Sequence, residues 1–287
     1  MSADAPLGDV SDTARWVAYF RALESDRPDA LFHDPHARRL AGDRGRAIVE
    51  TLPKGPLSWS LAVRTRVFDD LILDAVQGGV RVVLNLAAGL DARPYRLSLP
   101  VNLRWIEVDL PGIIRLKNEV LGTQQAACSV ERVSLDIADQ RARKDLFVRV
   151  GGEGTPVLVV TEGLLVYLDA EGVASLADDL HRHFPSGSWL LETVAPDILA
   201  RQRRLWGEKL RAAGADHKFA PSEGLEFFRP HGWAPGSTRS LMDEARRLRR
   251  EMPLGWLMRF VSSLVPGRDE KFRKAVVYGV MERCSLP

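Results

Sequence analysis

From about residue 80 the chain alternates two kinds of hydrophobic pattern. One is the short continuous apolar run. Residues 81–88, RVVLNLAA, form such a run, rich in β-branched residues, with Gly78-Gly79 before it and Gly89 after it. A strand that is apolar on both faces belongs inside a parallel sheet. Residues 103–110 (LRWIEVDL) predict a second strand, and 156–163 (PVLVVTEG) predict another as apolar as the first. SVERVSLD (129–136) alternates, which suits a strand nearer an edge. SWLLETV (188–194) and AVVYGVME (275–282) complete the set. The other pattern has helical spacing. Ile113, Leu116, Val120 and Leu121 show it after the second strand, and Val173, Leu176, Ala177, Leu180 and Phe184 show it after 156–163. Asp169 is placed to cap the latter helix, with Glu171 in its first turn. Strands alternating with helices predict a doubly wound α/β sheet.

Two stretches stand outside the alternation. Residues 1–77 read as an N-terminal helical part, ending in a helix from Ser60 to Gln77. Residues 196–265 read as a helix-rich insertion, well placed to be a lid over the carboxyl side of the sheet. With a core at 78–195 and a terminal strand within 266–287, these parts make one domain of 287 residues.

Charge excludes some partners. Lys plus Arg is 40 and Asp plus Glu is 38, so there is no bulk electrostatic case for nucleic acid or membrane. The basic runs Arg201–Arg211 and Arg246–Arg250 lack interleaved aromatics apart from Trp206, and read as solvated helix faces. Cys128 and Cys284 are too few for a disulfide framework and fit free thiols in a reducing cytosol. The first residues carry acids and no apolar core. No stretch reaches the roughly 18 apolar residues of a membrane span, and Leu254–Val265, which contains Arg259, is too short. A cytoplasmic protein is expected. His33, His36, His181 and His183 lack zinc spacing, so no metal is expected.

The chemistry concentrates where the first strand ends, at Ala87-Ala88-Gly89-Leu90-Asp91. Small residues there let backbone approach a ligand, and α/β sheets bind ligands at the carboxyl ends of their strands. Asp109 ends the second strand, 20 residues after Gly89. A carboxylate there accepts hydrogen bonds from a ribose diol, which suits nicotinamide nucleotides and S-adenosylmethionine equally. The loop does discriminate. G-x-G-x-x-G is absent, and Asp91 would repel a pyrophosphate but tolerate a zwitterionic sulfonium. The bland alternative is a turn that merely joins strand to helix.

Val82–Leu97, VVLNLAAGLDARPYRL, resembles the cofactor loop of the leucine carboxyl methyltransferase-like family, which are class I S-adenosylmethionine-dependent methyltransferases. Four further stretches resemble that family in the same order: Asp34-Pro35-x-Ala37, Arg64–Asp69 (RTRVFD), Trp105–Pro111 (WIEVDLP) and Glu162–Leu168 (EGLLVYL). One departure is Ala87, where many class I methyltransferases have a glycine. The resemblance implies a Rossmann-like methyltransferase sheet of about seven strands, the last antiparallel, and S-adenosyl-L-methionine as cofactor.

Arg64 lies on the apolar stripe Arg64, Phe68, Leu71, Ala75 and so needs a buried anion, either a ligand or an Asp such as Asp91. The resemblance implies the methionine carboxylate of the cofactor. Arg66 has Asp69 and Asp70 at the spacing of a solvated helix pair. Ala88, Gly89 and Asp91 are expected at the cofactor, and Asp109 on the ribose. Glu107, on the same strand face, could share that role. The resemblance places Asp136 and Ile137 at the adenine and Glu162 at the amino-acid end. Tyr167 is a candidate wall of the methyl site or a core aromatic, and Lys117 is expected to extend to water.

The expected activity is O-methylation, with a carboxyl group of a small molecule or protein terminus preferred because it is already ionised and needs no base. A phenol or alcohol would need one, with His217 or His231 the convenient candidates. Phe219, Phe227, Phe228, Trp233, Trp256, Met258 and Phe260 could line an acceptor pocket or form the core of the lid. Two alternatives stay open: a nucleotide-dependent oxidoreductase and a non-catalytic protein that keeps the cofactor fold.

Overall fold

The computed structural model describes residues 10–51, 56–152, 154–212, 215–252, 255 and 268–285. One sheet contains β1 (Val82–Leu86), β2 (Arg104–Asp109), β3 (Ser129–Ser134), β4 (Val157–Thr161), β5 (Gly187–Val194), β6 (Trp233–Ser240) and β7 (Val276–Arg283). Their order is β3-β2-β1-β4-β5-β7-β6. The first five strands in that order are parallel, and β7 runs antiparallel to both β5 and β6. β1 and β4 are buried at every position, while β3, at an edge, is fully buried at none. The strand order reverses between β1 and β4, which opens a crevice at their carboxyl ends.

The pleat sends alternate residues into two cores. Val82, Leu84, Val157, Val159 and Trp189 pack with α6 (Gln140–Val150) and with the Val173, Leu176 and Leu180 stripe of α7 (Ala170–His183). Val83, Trp105, Leu158 and Leu190 pack with Val63, Val67, Phe68 and Ile72 of α3 (Pro56–Gln77). Asp169 caps α7 by accepting the Gly172 N–H at 2.8 Å. α1 (Val10–Ser25) and α2 (Ala37–Thr51) pack on the loop after β1 and on α5 (Pro111–Leu121) through Ala18, Leu40, Ala41, Leu90 and Ile113. The N-terminal helices thereby roof the crevice.

Among the described residues of the stretch 196–265, expected to be helix-rich, one strand stands between helices. α8 (Pro196–Ala212) is helical, but a 3-10 helix (Gly224–His231) leads into β6, and α9 (Leu241–Arg247) follows. Pro235 and Gly236 mask this strand in the sequence. They are tolerated because β6 is an edge strand whose register slips between Pro235 and Ser237. Phe228 and Trp233 are fully buried and stack edge-on against Trp189, with centroids 5.0 and 5.7 Å away. With Phe219 they belong to the core of the sheet and not to a lid. Trp256, Met258 and Phe260 lie outside the described residues. Among those described, no helix is long and apolar enough to cross a membrane.

Candidate cofactor site

A cavity of about 430 Å³ lies where the strands reverse, a volume in the range of small-molecule sites. The ends of β1, β2 and β4 supply its floor, and α1, α3 and the segment after α8 close over it. Beyond β1 the chain turns through Ala87 and Gly89, both left-handed at φ 51°. Glycine adopts this freely, whereas a residue with a Cβ does so at a cost of about 1–2 kcal/mol. The turn brings the Gly89 N–H to Asp109 Oδ2 at 2.7 Å, and the Leu110 N–H meets Oδ1 at 2.7 Å. Burial pushes the Asp109 carboxyl above its ordinary pKa, and the two N–H groups offset only part of this. Ala88 and Asp91 line the same cavity. Asp136 is exposed at its margin, with Oδ1 held by the Ala138 N–H at 2.9 Å, and Ile137 is buried beside it.

Opposite the loop lies a cluster of charges. Arg64 donates through Nε to Glu162 at 2.9 Å and through Nη1 to Glu192 at 3.4 Å. On the short helix α4 (Arg93–Arg96), Arg93 bridges Glu162, Asp91 and Asp69 at 2.7, 3.0 and 2.7 Å, and Arg96 pairs with Asp69 at 2.7 Å. Burial works to raise Asp91, but Arg93, Lys117 and Arg96 overcome it and hold its pKa at about 2. Burial likewise opposes ionisation of Glu162, and Arg93 and Arg64 outweigh it. At Glu192 burial wins over Arg64, so its pKa lies above the usual carboxylate range. Three guanidiniums thus face four carboxylates. Arg64 does find a buried anionic partner, but it is the pair Glu162 and Glu192 and not Asp91. Glu192 was missed by sequence reasoning. Its signal was a lone carboxylate inside the apolar run SWLLETV, the position type that singled out Glu162.

Glu107 does not join the site. It is fully buried below the cavity, with Lys117 Nζ at 2.8 Å and Arg132 Nε at 2.9 Å. Lys117, expected to reach water, is fully buried as its partner. Periodicity put Glu107 and Asp109 on one face correctly, but a single step along the strand separates cavity from core. Arg66 behaves as its spacing predicts with Asp70, at 2.9 Å, while Asp69 turns inward to Arg93 and Arg96.

Tyr167 lines the cavity, and burial raises its phenol pKa. His217 also lines it, whereas His231 pairs with Asp178 outside the cavity lining. The His217 ring meets Tyr167 edge-on with centroids 5.2 Å apart, and its Nδ1 lies 3.0 Å from Gln202 Oε1. Burial drives the His217 pKa down to about 4.

A doubly wound sheet with an antiparallel last strand, and a small-residue turn facing a carboxylate at the end of β2, define a Rossmann-like methyltransferase fold. A DUF574-family protein of Streptomyces avermitilis superposes with a TM-score of 0.61 at 14% identity, covering 95% of this chain and 97% of its own. A "putative methyltransferase" of Thermobifida fusca superposes with a TM-score of 0.58 at 14% identity, covering 98% and 97%. At such identities the likeness is one of fold. In sequence, the profile described as leucine carboxyl methyltransferase matches residues 14–181. A "Putative S-adenosyl-L-methionine-dependent methyltransferase" of Parafrankia sp. is 38% identical over 263 residues, 85% of this chain and 83% of its own. Another of that description, from Frankia alni, is 34% identical over 261 residues, 87% and 92% of the two chains. The chain belongs to the leucine carboxyl methyltransferase family. It is a methyltransferase enzyme whose cofactor is S-adenosylmethionine, and the oxidoreductase alternative falls away.

Proposed function

We propose that the enzyme methylates an oxygen of a small molecule, with Arg64, Ala88, Gly89, Asp91, Asp109, Asp136, Ile137 and Glu162 forming the cofactor site. The observation that carries the site assignment is the charge cluster at the cavity, in which Arg64 and Arg93 with Asp91, Glu162 and Glu192 form the lining and Asp69 and Arg96 stand behind Arg93. An excess of buried negative charge suits a cofactor that is cationic overall and opposes an anionic dinucleotide. Arg64 has Nε and Nη1 engaged, which leaves Nη2 for the methionine carboxylate. Asp109, fixed by one backbone N–H on each oxygen, would accept from the ribose hydroxyls. Asp136 keeps Oδ2 for the adenine amino group, and the apolar Ile137 covers the ring. When bound, the cofactor supplies an activated methyl and a neutral leaving group. The chain's own residues align the acceptor and exclude water.

The expected result is stabilisation by S-adenosylhomocysteine. At 100 times its dissociation constant, linkage gives about 2.7 kcal/mol. Absence of a melting shift at millimolar ligand overturns the site assignment. Two acceptor classes make different demands. A carboxylate, the class suggested by the family's description, needs no base but must have its charge held. A hydroxyl needs a base, and His217 in the cavity wall, held at a pKa of about 4, is too weak to serve as an efficient one.

A further inference from the structure

The cofactor site assigned above leaves one buried carboxylate unused. Glu192 of β5 stands opposite Tyr278 of β7, and both residues line the cavity. The Glu192 side chain is only 6% exposed. Its Oε1 accepts two hydrogen bonds, from the Gly163 N–H at 2.9 Å and from Arg64 Nη1 at 3.4 Å. Its Oε2 has no hydrogen-bond partner among the described residues. Oε2 is not a sealed atom either, so its open side is the cavity that the residue lines. A carboxylate oxygen has two acceptor sites, and one so deeply set with neither filled calls for a donor.

Glu162 offers no such opening. Its Oε1 holds Arg64 Nε at 2.9 Å and its Oε2 holds Arg93 Nη1 at 2.7 Å, so a guanidinium occupies each oxygen. Arg64 therefore has a carboxylate on either side and keeps Nη2 free. The turn after β4 fixes this arrangement. Gly163 is left-handed at φ 69°, and a Cβ there would lie 3.5 Å from Arg64 Nη1 and 3.9 Å from Glu192 Oε1. The amino-acid end of the cofactor carries a carboxylate and an ammonium on one carbon. Its seat needs a cation and an anion side by side, and Arg64 with Glu192 is such a pair. Burial raises the Glu192 pKa, Arg64 opposes that rise and Glu162 adds to it. A second cation beside Oε2 would complete the balance.

We propose that Glu192 Oε2 receives the ammonium of the cofactor's methionine end, beside the carboxylate on Arg64, while Oε1 keeps Arg64 and the Gly163 turn in place. The proposal rests on the reading of the cavity as the S-adenosylmethionine site. It gives the two glutamates separate tasks. Glu162 orients Arg64 and Arg93, and Glu192 touches the ligand. It also makes the ligand's amine a requirement for tight binding, because a ligand without one leaves Oε2 covered and unpaired. The carboxylate and the amine are then read by different groups, and removing one reader should leave the other at work.

The test titrates the full chain by calorimetry with three adenosine thioethers. They are S-adenosylhomocysteine, its des-amino analogue, which keeps the carboxylate, and its decarboxylated analogue, which keeps the amine. Glu192→Gln preserves the side-chain volume and an acceptor for the Gly163 N–H but removes the charge. It should weaken S-adenosylhomocysteine and the decarboxylated analogue alike, by roughly 10- to 150-fold. The des-amino analogue should bind the variant as it binds the wild type. Glu192→Asp draws the charge back from the cavity, should show the same order of losses at smaller size, and covers the case in which Gln fails to fold. The wild type should itself prefer S-adenosylhomocysteine to the des-amino analogue. Equal wild-type affinity for those two, unchanged S-adenosylhomocysteine affinity in the folded Gln variant, or a loss shared equally by all three ligands each overturns the proposal. A loss confined to the two ligands that keep the carboxylate overturns it as well, since Glu192 would then act through Arg64 alone. A wild type that does not bind S-adenosylhomocysteine overturns the cofactor-site reading itself, and this proposal with it.

Discussion

Two buried clusters of charge lie on either side of one step in β2. Below the step, Glu107 is enclosed by Lys117 and Arg132. Above it, Arg64 and Arg93 meet Asp91, Glu162 and Glu192 at the wall of an open cavity, with Asp69 and Arg96 behind Arg93. The first has two cations for one carboxylate and no opening. The second has more carboxylates than cations and faces space for a ligand. Burial of charge therefore does not mark a site by itself. An unbalanced sum that borders a cavity does, because a ligand can complete it.

Removing the centre of the closed cluster should have the largest effect. Glu107→Ala leaves Lys117 and Arg132 buried without their shared partner, and such losses cost about 3–5 kcal/mol. Urea denaturation should show that loss, while the folded fraction binds S-adenosylhomocysteine normally. Asp109→Ala should invert the pattern, with stability nearly kept and affinity lowered by about 1.5–3 kcal/mol, roughly 10- to 150-fold. If Glu107→Ala is instead the variant that loses affinity, the two carboxylates exchange roles.

Acid sharpens the comparison next. The folded pKa of Asp91, about 2, lies below its ordinary value of 3.8. A depressed carboxylate contributes stability that is present above the unfolded pKa and lost as pH falls through the folded one. Asp91 should therefore supply about 2 kcal/mol above pH 4 that disappears towards pH 2. Asp91→Asn should flatten that part of the urea-midpoint profile. The smallest effect is expected in the turn. Ala87→Gly relieves a left-handed alanine and should gain about 1 kcal/mol, whereas Gly89→Ala should lose about as much. The loss would be conformational, since a Cβ on Gly89 meets only Ala14 at an ordinary 3.6 Å. Differential scanning calorimetry of both variants decides it.

The parallel strands were legible because β1 and β4 are continuous apolar runs and β3 alternates, and the strand ends singled out Gly89, Asp109, Asp136 and Glu162, all of which line the cavity. β6 was not, since an edge strand can carry Pro235 and Gly236 and so loses the strand pattern. Lys117 misled for a different reason. Side-chain type argues for water, and only its register against Glu107 across the α5–β2 packing makes it a core residue. Glu192 and His217 come into place through long-range contacts, Glu192 beside Arg64 of α3 and His217 beside Tyr167. No local spacing encodes those neighbours.

The bulged outer strand has a consequence for behaviour in crowded solution. An open sheet offers two rows of unpaired backbone groups to any neighbouring molecule. On one side Pro235 removes a donor and the slip at Ser237 breaks the repeat. On the other, β3 carries Glu131 and Arg132, with Arg149 and Arg104 drawn onto Glu131 at 2.5 and 3.8 Å. A second chain attempting to zip on at either margin finds an interrupted ladder or a row of ions. The features that hid β6 from its own sequence pattern are thus the ones that interrupt the ladder at that margin.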